Sequence, residues 1–325
     1  MGDAITLLVL RHTPDPVETL PSQPADHYAA MRVSIRVPGS TSNLGHGFDC
    51  MGIAVDLTNT LTVDAREDEQ VTCPTAPDGG LVDMADRVRR TCAAAWGCRL
   101  PGFDVRITGA VPISRGLGSS STIFLGLGAA CQLFAGHVLD RDELIRIGVG
   151  LEGHPDNITA SALGGFTLAG HDRHGLVWQR FPVPAELCCV VAIPDHEVRT
   201  ADARRALPGE LNLGAAIIGW QRSALITGAL ASGEIQRLRG LLADGWHERY
   251  REPLNPGFTI ARDAAERAGA LGTIISGSGS TVLSFCSPTE QPTVAEALRQ
   301  CYPENSSRIL PLAFDNDGLT QISTD

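Results

Sequence analysis

Residues 112–122 read PISRGLGSSST and stand between an alternating run and a long apolar one. That order restricts the chain to folds in which a strand hands over to a helix through a glycine-rich turn. Upstream, Phe103, Val105, Ile107 and Gly109 alternate with Asp104, Arg106 and Thr108, the period of a half-buried strand. Downstream, residues 123–134 (IFLGLGAACQLF) are apolar, free of proline and long enough for about three helical turns. Such a turn lets backbone N–H groups approach a ligand, and the unpaired amides and positive dipole end of the next helix favour an anion such as phosphate. A Gly-Ser stretch by itself serves equally well as a helix cap. One hydroxyl suffices for a cap, however, and this turn carries three beside two closely spaced glycines. A Walker loop is excluded because it needs a lysine, and all 26 of the Lys+Arg residues here are arginine. Amides, hydroxyls, a metal ion and Arg115 are left to meet phosphate charge.

A chain of 325 residues predicts two domains, and 43% hydrophobic content suffices for a packed core. A net charge of −11 argues against nucleic acid or an anionic membrane as partner. The nine cysteines form no C-x-x-C pair and no zinc-spaced cluster with histidine; Cys131, Cys188 and Cys189 fall in apolar runs, the pattern of reduced core thiols. No apolar run approaches 18 residues, and the first, residues 4–10, lacks a basic leader, so a cytoplasmic protein is expected. Residues 1–30 hold four prolines and little periodicity after Leu10, and read as a flexible N-terminal extension before a folded unit beginning near Met31.

After Val33, Ile35 and Val37, residues 38–52 form a polar loop before a second strand over 53–63. Asn43, His46 and Asp49 are concentrated in that loop, where they suit turn chemistry as well as a ligand. Residues 83–96 and 141–151 have helical spacing. The latter run leads to Glu152, His154, Asp156 and Asn157, with Pro155 barring continuation of the helix. An acidic group at a helix end is commonly a solvated one. Glu152 follows an apolar run and can instead point inward as a magnesium ligand. Beyond it, residues 187–193 (LCCVVAI) predict a buried strand. Helices are expected over 201–206, 215–231, 234–243, 258–268 and 294–301, and strands flank SGSGS at 276–280 and cover 308–312. This order fits a two-layer α/β fold better than a doubly wound parallel sheet.

Taken together, VPGSTSNLGHGFDCMG (37–52), PISRGLGSSST and ISGSGST (275–281) resemble the GHMP kinase superfamily. Within it the chain is most similar to the homoserine kinase branch, through EGHPDN (152–157), ARRALP (203–208) and HERYREPLNPG (247–257). The resemblance covers about residues 31–312. It implies an N-terminal ATP-binding domain with a left-handed β-α-β crossover, residues 31–183, and a ferredoxin-like C-terminal domain, residues 184–325, with the site in the cleft between them. Pro112, Ile113, Ser114, Arg115, Gly116, Leu117, Gly118, Ser119, Ser120, Ser121 and Thr122 would wrap the phosphates of ATP, supported by Gly277 and Gly279. Ser120 and Glu152 would hold Mg²⁺. Asn43, Asp49, His154 and Asn157 would place a hydroxy amino acid, and Arg204 and Arg251 would grip its carboxylate.

Relatives that use an Asp base carry it seven residues before a Gly-Gly pair. Here that position, counted back from Gly164 and Gly165, is Asn157, which cannot accept a proton. The resemblance therefore implies direct attack of the hydroxyl on the γ-phosphate, with Asp156 in reserve as a base. The chain departs from the branch in having Ser121 and Thr122 where alanines are common, a second cation at Arg249, and GGLVDMADR (79–87) in place of an Asn-Leu pair on the adenine side. Homoserine is the expected acceptor. Threonine or another hydroxy acid, or a nucleotide-binding regulator without turnover, are the alternatives, and the resemblance leaves a homodimer open.

Overall fold

Val33, Ile35 and Val37 put one face of β1 (Arg32–Asn43) in the core, but the strand does not stop where its polar residues begin. The computed structural model describes residues 31–74, 79–303 and 306–324. In it β1 runs on to Asn43, turns through residues 44–46 and returns as β2 (Gly47–Ala65). The stretch expected as a loop is mostly ladder, with Ser40 paired to Ala54, Thr41 to Ile53 and Ser42 to Gly52. Polar side chains are tolerated in this buried ladder because each has a partner: Ser40 and Ser42 bond Asn157, and Thr41 accepts from Ser276.

The chain continues as β3 (Val71–Thr72), α1 (Gly80–Trp96), β4 (Phe103–Gly109), α2 (Ser119–Phe134), α3 (Arg141–Glu152), α4 (Asp156–Leu163), β5 (Phe166–Asp172) and β6 (Gly175–Phe181). The second half comprises β7 (Cys188–Pro194), α5 (Thr200–Arg205), α6 (Leu213–Ser232), α7 (Glu248–Arg251), α8 (Phe258–Arg267), β8 (Gly272–Ile275), β9 (Val282–Cys286), α9 (Gln291–Cys301), β10 (Ser307–Leu312) and β11 (Thr320–Thr324). One sheet has the order β11-β1-β2-β4-β3, with β5 and then β6 added alongside β2. Its helix-covered face buries Val33, Ile35, Val37, Leu61, Val63 and Phe103 against Val88, Ile123, Leu127 and Phe134. Each such side chain contributes about 1.5–3 kcal/mol relative to exposure.

The second sheet runs β10-β7-β9-β8, antiparallel throughout. Taking β7, β8, β9 and β10 as its four strands in sequence, with α8 and α9 as crossovers, this is a ferredoxin-like β-α-β-β-α-β arrangement. Phe258, Ala261, Val294 and Leu298 cover one face, packing on Val190, Ile275 and Val282. The other face meets the first half in a shared core, where Met51, Ile53, Val55 and Phe166 join Cys189, Val191, Ile274 and Phe285.

Two further features depart from expectation. The helix expected over 234–243 is a single 3-10 turn, Ile235–Leu238, because Ile235 and Leu238 are drawn into the shared core and Gly240 follows in the left-handed region at φ 79°. In addition, β11 leaves the second half and pairs with β1 from Val33 to Arg36, so the chain's last strand belongs to the first sheet. Cys131, Cys188 and Cys189 are buried free thiols. The extension read over residues 1–30 lies outside the described residues. Among the described residues no helix is long and apolar enough to cross a membrane.

Candidate active site

The glycine-rich turn does what its position between β4 and α2 suggests, but not as a cap. Gly118, at φ 67°, precedes α2, and no side chain caps the helix. Gly116 sits at φ 75°, and a Cβ there would lie 2.0 Å from the Ser276 carbonyl oxygen. Only glycine lets the turn lie this close to the second Gly-Ser turn. Two bonds join them: Ser276 Oγ donates to Gly116 O at 2.6 Å, and Thr281 N to Arg115 O at 3.1 Å.

The serines of α2 bond elsewhere. Ser120 Oγ and Ser121 Oγ each donate to one carboxylate oxygen of Glu152, both at 2.6 Å. Glu152 ends α3, where a helix dipole disfavours an anion, yet it lies against the first turn of α2, where a dipole favours one. Burial pushes its pKa up, against the opposing pull of His154 and the two hydroxyls. Thr122 is tied to Asn59 Nδ2 at 2.9 Å. The extra hydroxyls at 121 and 122 are thus both engaged. Arg115 is already engaged: its guanidinium bonds the carbonyls of Pro194, Ile113 and Asp195.

A cavity of about 1090 Å³ opens between the two halves. Ile113, Ser114, Arg115, Gly116, Gly118, Ser119, Ser120 and Gly277 line it, as do Asn43, Asp49, Glu152, His154, Asp156, Asn157, Arg204 and Arg251. Pro112, Leu117, Ser121, Thr122 and Gly279, all expected at the nucleotide, stand behind this lining. Leu117 is fully buried in the shared core, with its carbonyl accepting from Ser40 N.

At the other end of the cavity the β1–β2 turn is strained, with Asn43, Leu44 and Asp49 at φ 73°, 39° and 54°. Asn43 Nδ2 holds Gly277 O at 3.0 Å, and its Oδ1 accepts from Asp49 N at 3.2 Å. The Asp49 carboxylate faces Arg204, which donates Nη1 to Oδ2 at 2.9 Å and Nη2 to Oδ1 at 2.8 Å. Arg251, 2% exposed, donates Nη1 to Gly277 O at 2.7 Å. Burial, reinforced by Arg204, brings its pKa down to about 10, which leaves it charged at neutral pH. Both guanidinium groups lie over the Phe48 ring, Arg204 at 5.6 Å and Arg251 at 5.0 Å from its centroid. Arg249 does not join this grip: it stacks on Tyr250 at 4.5 Å. His46 also turns away, towards Asp244 at 3.5 Å and Arg222.

Between the two ends, Asp156 Oδ1 accepts from Asn157 N at 2.8 Å and meets His154 Nδ1 at 3.2 Å. Burial resists protonation of His154, but Asp156 and Glu152 outweigh it and raise its pKa. Asn157 is clamped between the β1 hydroxyls: its Oδ1 accepts from Ser40 Oγ and its Nδ2 donates to Ser42 Oγ, each at 3.0 Å.

Leu81, Met84, Ile107 and Val111 form the apolar end of the cavity, Asn59 joins them in its lining, and so do Arg199 and Thr200 near Arg204. Apart from the adenine-side segment that carries Leu81 and Met84, no sequence signal pointed to them. They lie on separate elements and belong to no local motif.

The GHMP kinases N terminal domain model matches residues 81–165, and the GHMP kinases C terminal model residues 226–304. The chain is 34% identical over 294 residues to the homoserine kinase of Aquifex aeolicus, spanning 88% of this chain and 98% of that one. It is 34% identical over 306 residues to the homoserine kinase of Trichormus variabilis, spanning 89% and 98%. Its structure superposes on the crystal structure of homoserine kinase from Cytophaga hutchinsonii with a TM-score of 0.81 at 25% identity, over 90% of this chain and 97% of that one. A likeness this long, carried by sequence and fold alike, places the chain in the GHMP kinase superfamily, among the homoserine kinases.

Proposed function

We propose that this chain is a cytoplasmic enzyme that transfers the γ-phosphoryl group of ATP to the side-chain hydroxyl of L-homoserine, giving O-phospho-L-homoserine for threonine biosynthesis. The observation that carries the acceptor assignment is the Asp49–Arg204 pair beside Arg251. A free α-amino acid is a zwitterion. Its ammonium can take Asp49 from Arg204 while its carboxylate takes the guanidinium groups, so both members of the pair keep a partner. A hydroxy acid without an amine offers Asp49 nothing in exchange for Arg204, so it forfeits one charge-assisted contact.

In this reading residues 31–183 carry the nucleotide, and the second half brings Arg204 and Arg251 to the acceptor. The turn around Gly116 and Gly118 presents backbone amides to the phosphates, and the apolar end of the cavity takes the base. Glu152 and the Ser120 hydroxyl form a hard-oxygen set that suits Mg²⁺. Among the described residues no group of three His, Cys, Asp or Glu side chains could hold a metal, so the ion fits as part of the Mg-ATP substrate, with phosphate oxygens completing its shell. When bound it supplies charge neutralisation on the phosphates. Asn157 orients the acceptor and the hydroxyl attacks directly. A positioned base is worth only about 10²–10⁴ in rate, and loose phosphoryl transfer depends chiefly on alignment and charge.

The test is ADP release from Mg-ATP against L-homoserine, L-threonine, L-serine, 4-hydroxybutyrate, mevalonate and pantoate. Turnover selective for homoserine is expected. Equal turnover with 4-hydroxybutyrate would remove the zwitterion argument, and nucleotide binding without turnover on any acceptor would favour a regulatory role.

A further inference from the structure

Four arginines line the cavity, and three of them are engaged. Arg115 is held by three carbonyls, Arg204 by Asp49, and Arg251 by Gly277 O and the Phe48 ring. The fourth, Arg199, is exposed, and among the described residues its guanidinium has no hydrogen bond, ion pair or ring contact. Its backbone, by contrast, is anchored on both sides. Val198 N donates to Ser114 O of the glycine-rich turn at 3.2 Å, and Val198 itself is buried. The Arg199 carbonyl accepts from Asp202 N and Ala203 N at 3.0 and 3.1 Å as the chain enters α5, which carries Arg204. An unpaired cation thus stands on a fixed base, with the phosphate turn on one side and the acceptor grip on the other.

We infer that Arg199 contacts the γ-phosphoryl group of ATP and follows it as it moves to the acceptor, an assignment that rests on the ATP-dependent transfer proposed above. The chain has no lysine for this task, and Arg115 is spent on carbonyls. A guanidinium presents a planar fork of donors that matches two phosphate oxygens, and it cannot lose its charge at working pH. Negative charge on the equatorial oxygens of the transferring group is what such a cation neutralises. Its position between Ser114 and Arg204 selects the γ-phosphoryl over the α- and β-phosphates, because only the γ-phosphoryl lies between nucleotide and acceptor. Burial does not hold Arg199 in place, so its substitution leaves the fold alone.

The experiment compares the full-length wild type with Arg199→Ala and Arg199→Lys, measuring calorimetric binding of Mg-AMPPNP and Mg-ADP together with steady-state kinetics. In Arg199→Ala we expect AMPPNP affinity to fall about tenfold or more with ADP affinity unchanged, and kcat to fall about 100-fold with little change in the KM for homoserine. Lysine should restore part of both losses. Equal losses for AMPPNP and ADP would overturn the γ assignment, and so would a rise confined to the homoserine KM. A wild type that binds AMPPNP, with an alanine variant that binds and turns over equally well, would overturn the inference alone. A wild type that binds neither nucleotide would overturn the ATP reading, and the inference with it.

Discussion

Arg204 grips Asp49 with both arms of its guanidinium, at 2.8 and 2.9 Å, across the cleft where the acceptor would lie. Both side chains remain accessible, Arg204 at 39% and Asp49 at 35%. An ion pair this exposed contributes only about 0–1 kcal/mol, so a zwitterion can displace it at little cost. In the function proposed above the pair would work as a latch, each charge satisfied before the acceptor arrives and released to it.

Arg204→Ala and Asp49→Ala should therefore each raise the KM for homoserine about ten- to hundredfold, the loss of one charged hydrogen-bonded contact, with the KM for ATP nearly unchanged. Steady-state kinetics with each substrate varied in turn would check this. A matching rise in both constants would place the pair outside the acceptor pocket.

For the phosphate end, Glu152→Gln should cost about 10²-fold in turnover, the scale of losing one preorganised charge, while circular dichroism stays native. Because burial raises the pKa of Glu152, its carboxylate is lost as pH falls through a range higher than that of an ordinary glutamate. The wild-type kcat/KM should show an acid limb that the glutamine variant lacks and that Ser120→Ala retains. An unchanged profile in Glu152→Gln would overturn the metal role proposed for this residue.

Removal of a true protein base costs about 10²–10⁴ in rate. Asp156→Asn is expected to lose less, about tenfold, through its bonds to His154 and Asn157. Asn157→Ala is expected to lose more, because it frees both Ser40 and Ser42. The reverse ranking of kcat values would make Asp156 the base.

His247 lies beneath the strained β1–β2 turn, with Nε2 3.1 Å from Gly45 O, and burial brings its pKa down to about 4. It is neutral in the fold while the unfolded chain takes up a proton near pH 6.5, so its contribution is intact above pH 6.5 and is lost as pH falls towards 4. Between pH 7 and pH 4.5 this amounts to about 2–3 kcal/mol. Urea titrations should show a shallower decline over that window for His247→Gln, and an equal decline in both proteins would rule out the assignment.

Local chemistry was legible wherever it was written in consecutive residues. The strand over 103–109, the apolar helix behind PISRGLGSSST, the buried run at 187–193, found as Cys188–Pro194, and the glycine turn at 276–280 all fall where their patterns required, to within a residue. The polar residues at 40–43 were misread because a period-two ladder and a turn share the same Ser, Thr and Asn vocabulary. Only the partners from α4 and the second glycine turn decide between them. The return of β11 to β1 had no local signal at all, since strand pairing across the length of the chain is set by which edge is left open.

The sequence by itself determined which segments become helix or strand, that a phosphate-sized anion suits the turn at 112–122, and which polar residues are available. Tertiary structure decided which of them meet. Ser120 and Ser121 share Glu152, Arg204 faces Asp49, and Arg115 turns to carbonyls while Arg199 has no partner among the described residues. The physical reason is that periodicity is a property of neighbours along the chain. Charge pairing and hydrogen bonding depend on distances of about 3 Å between residues that here lie 31 to 155 positions apart, and only packing the two halves on their shared core sets those distances.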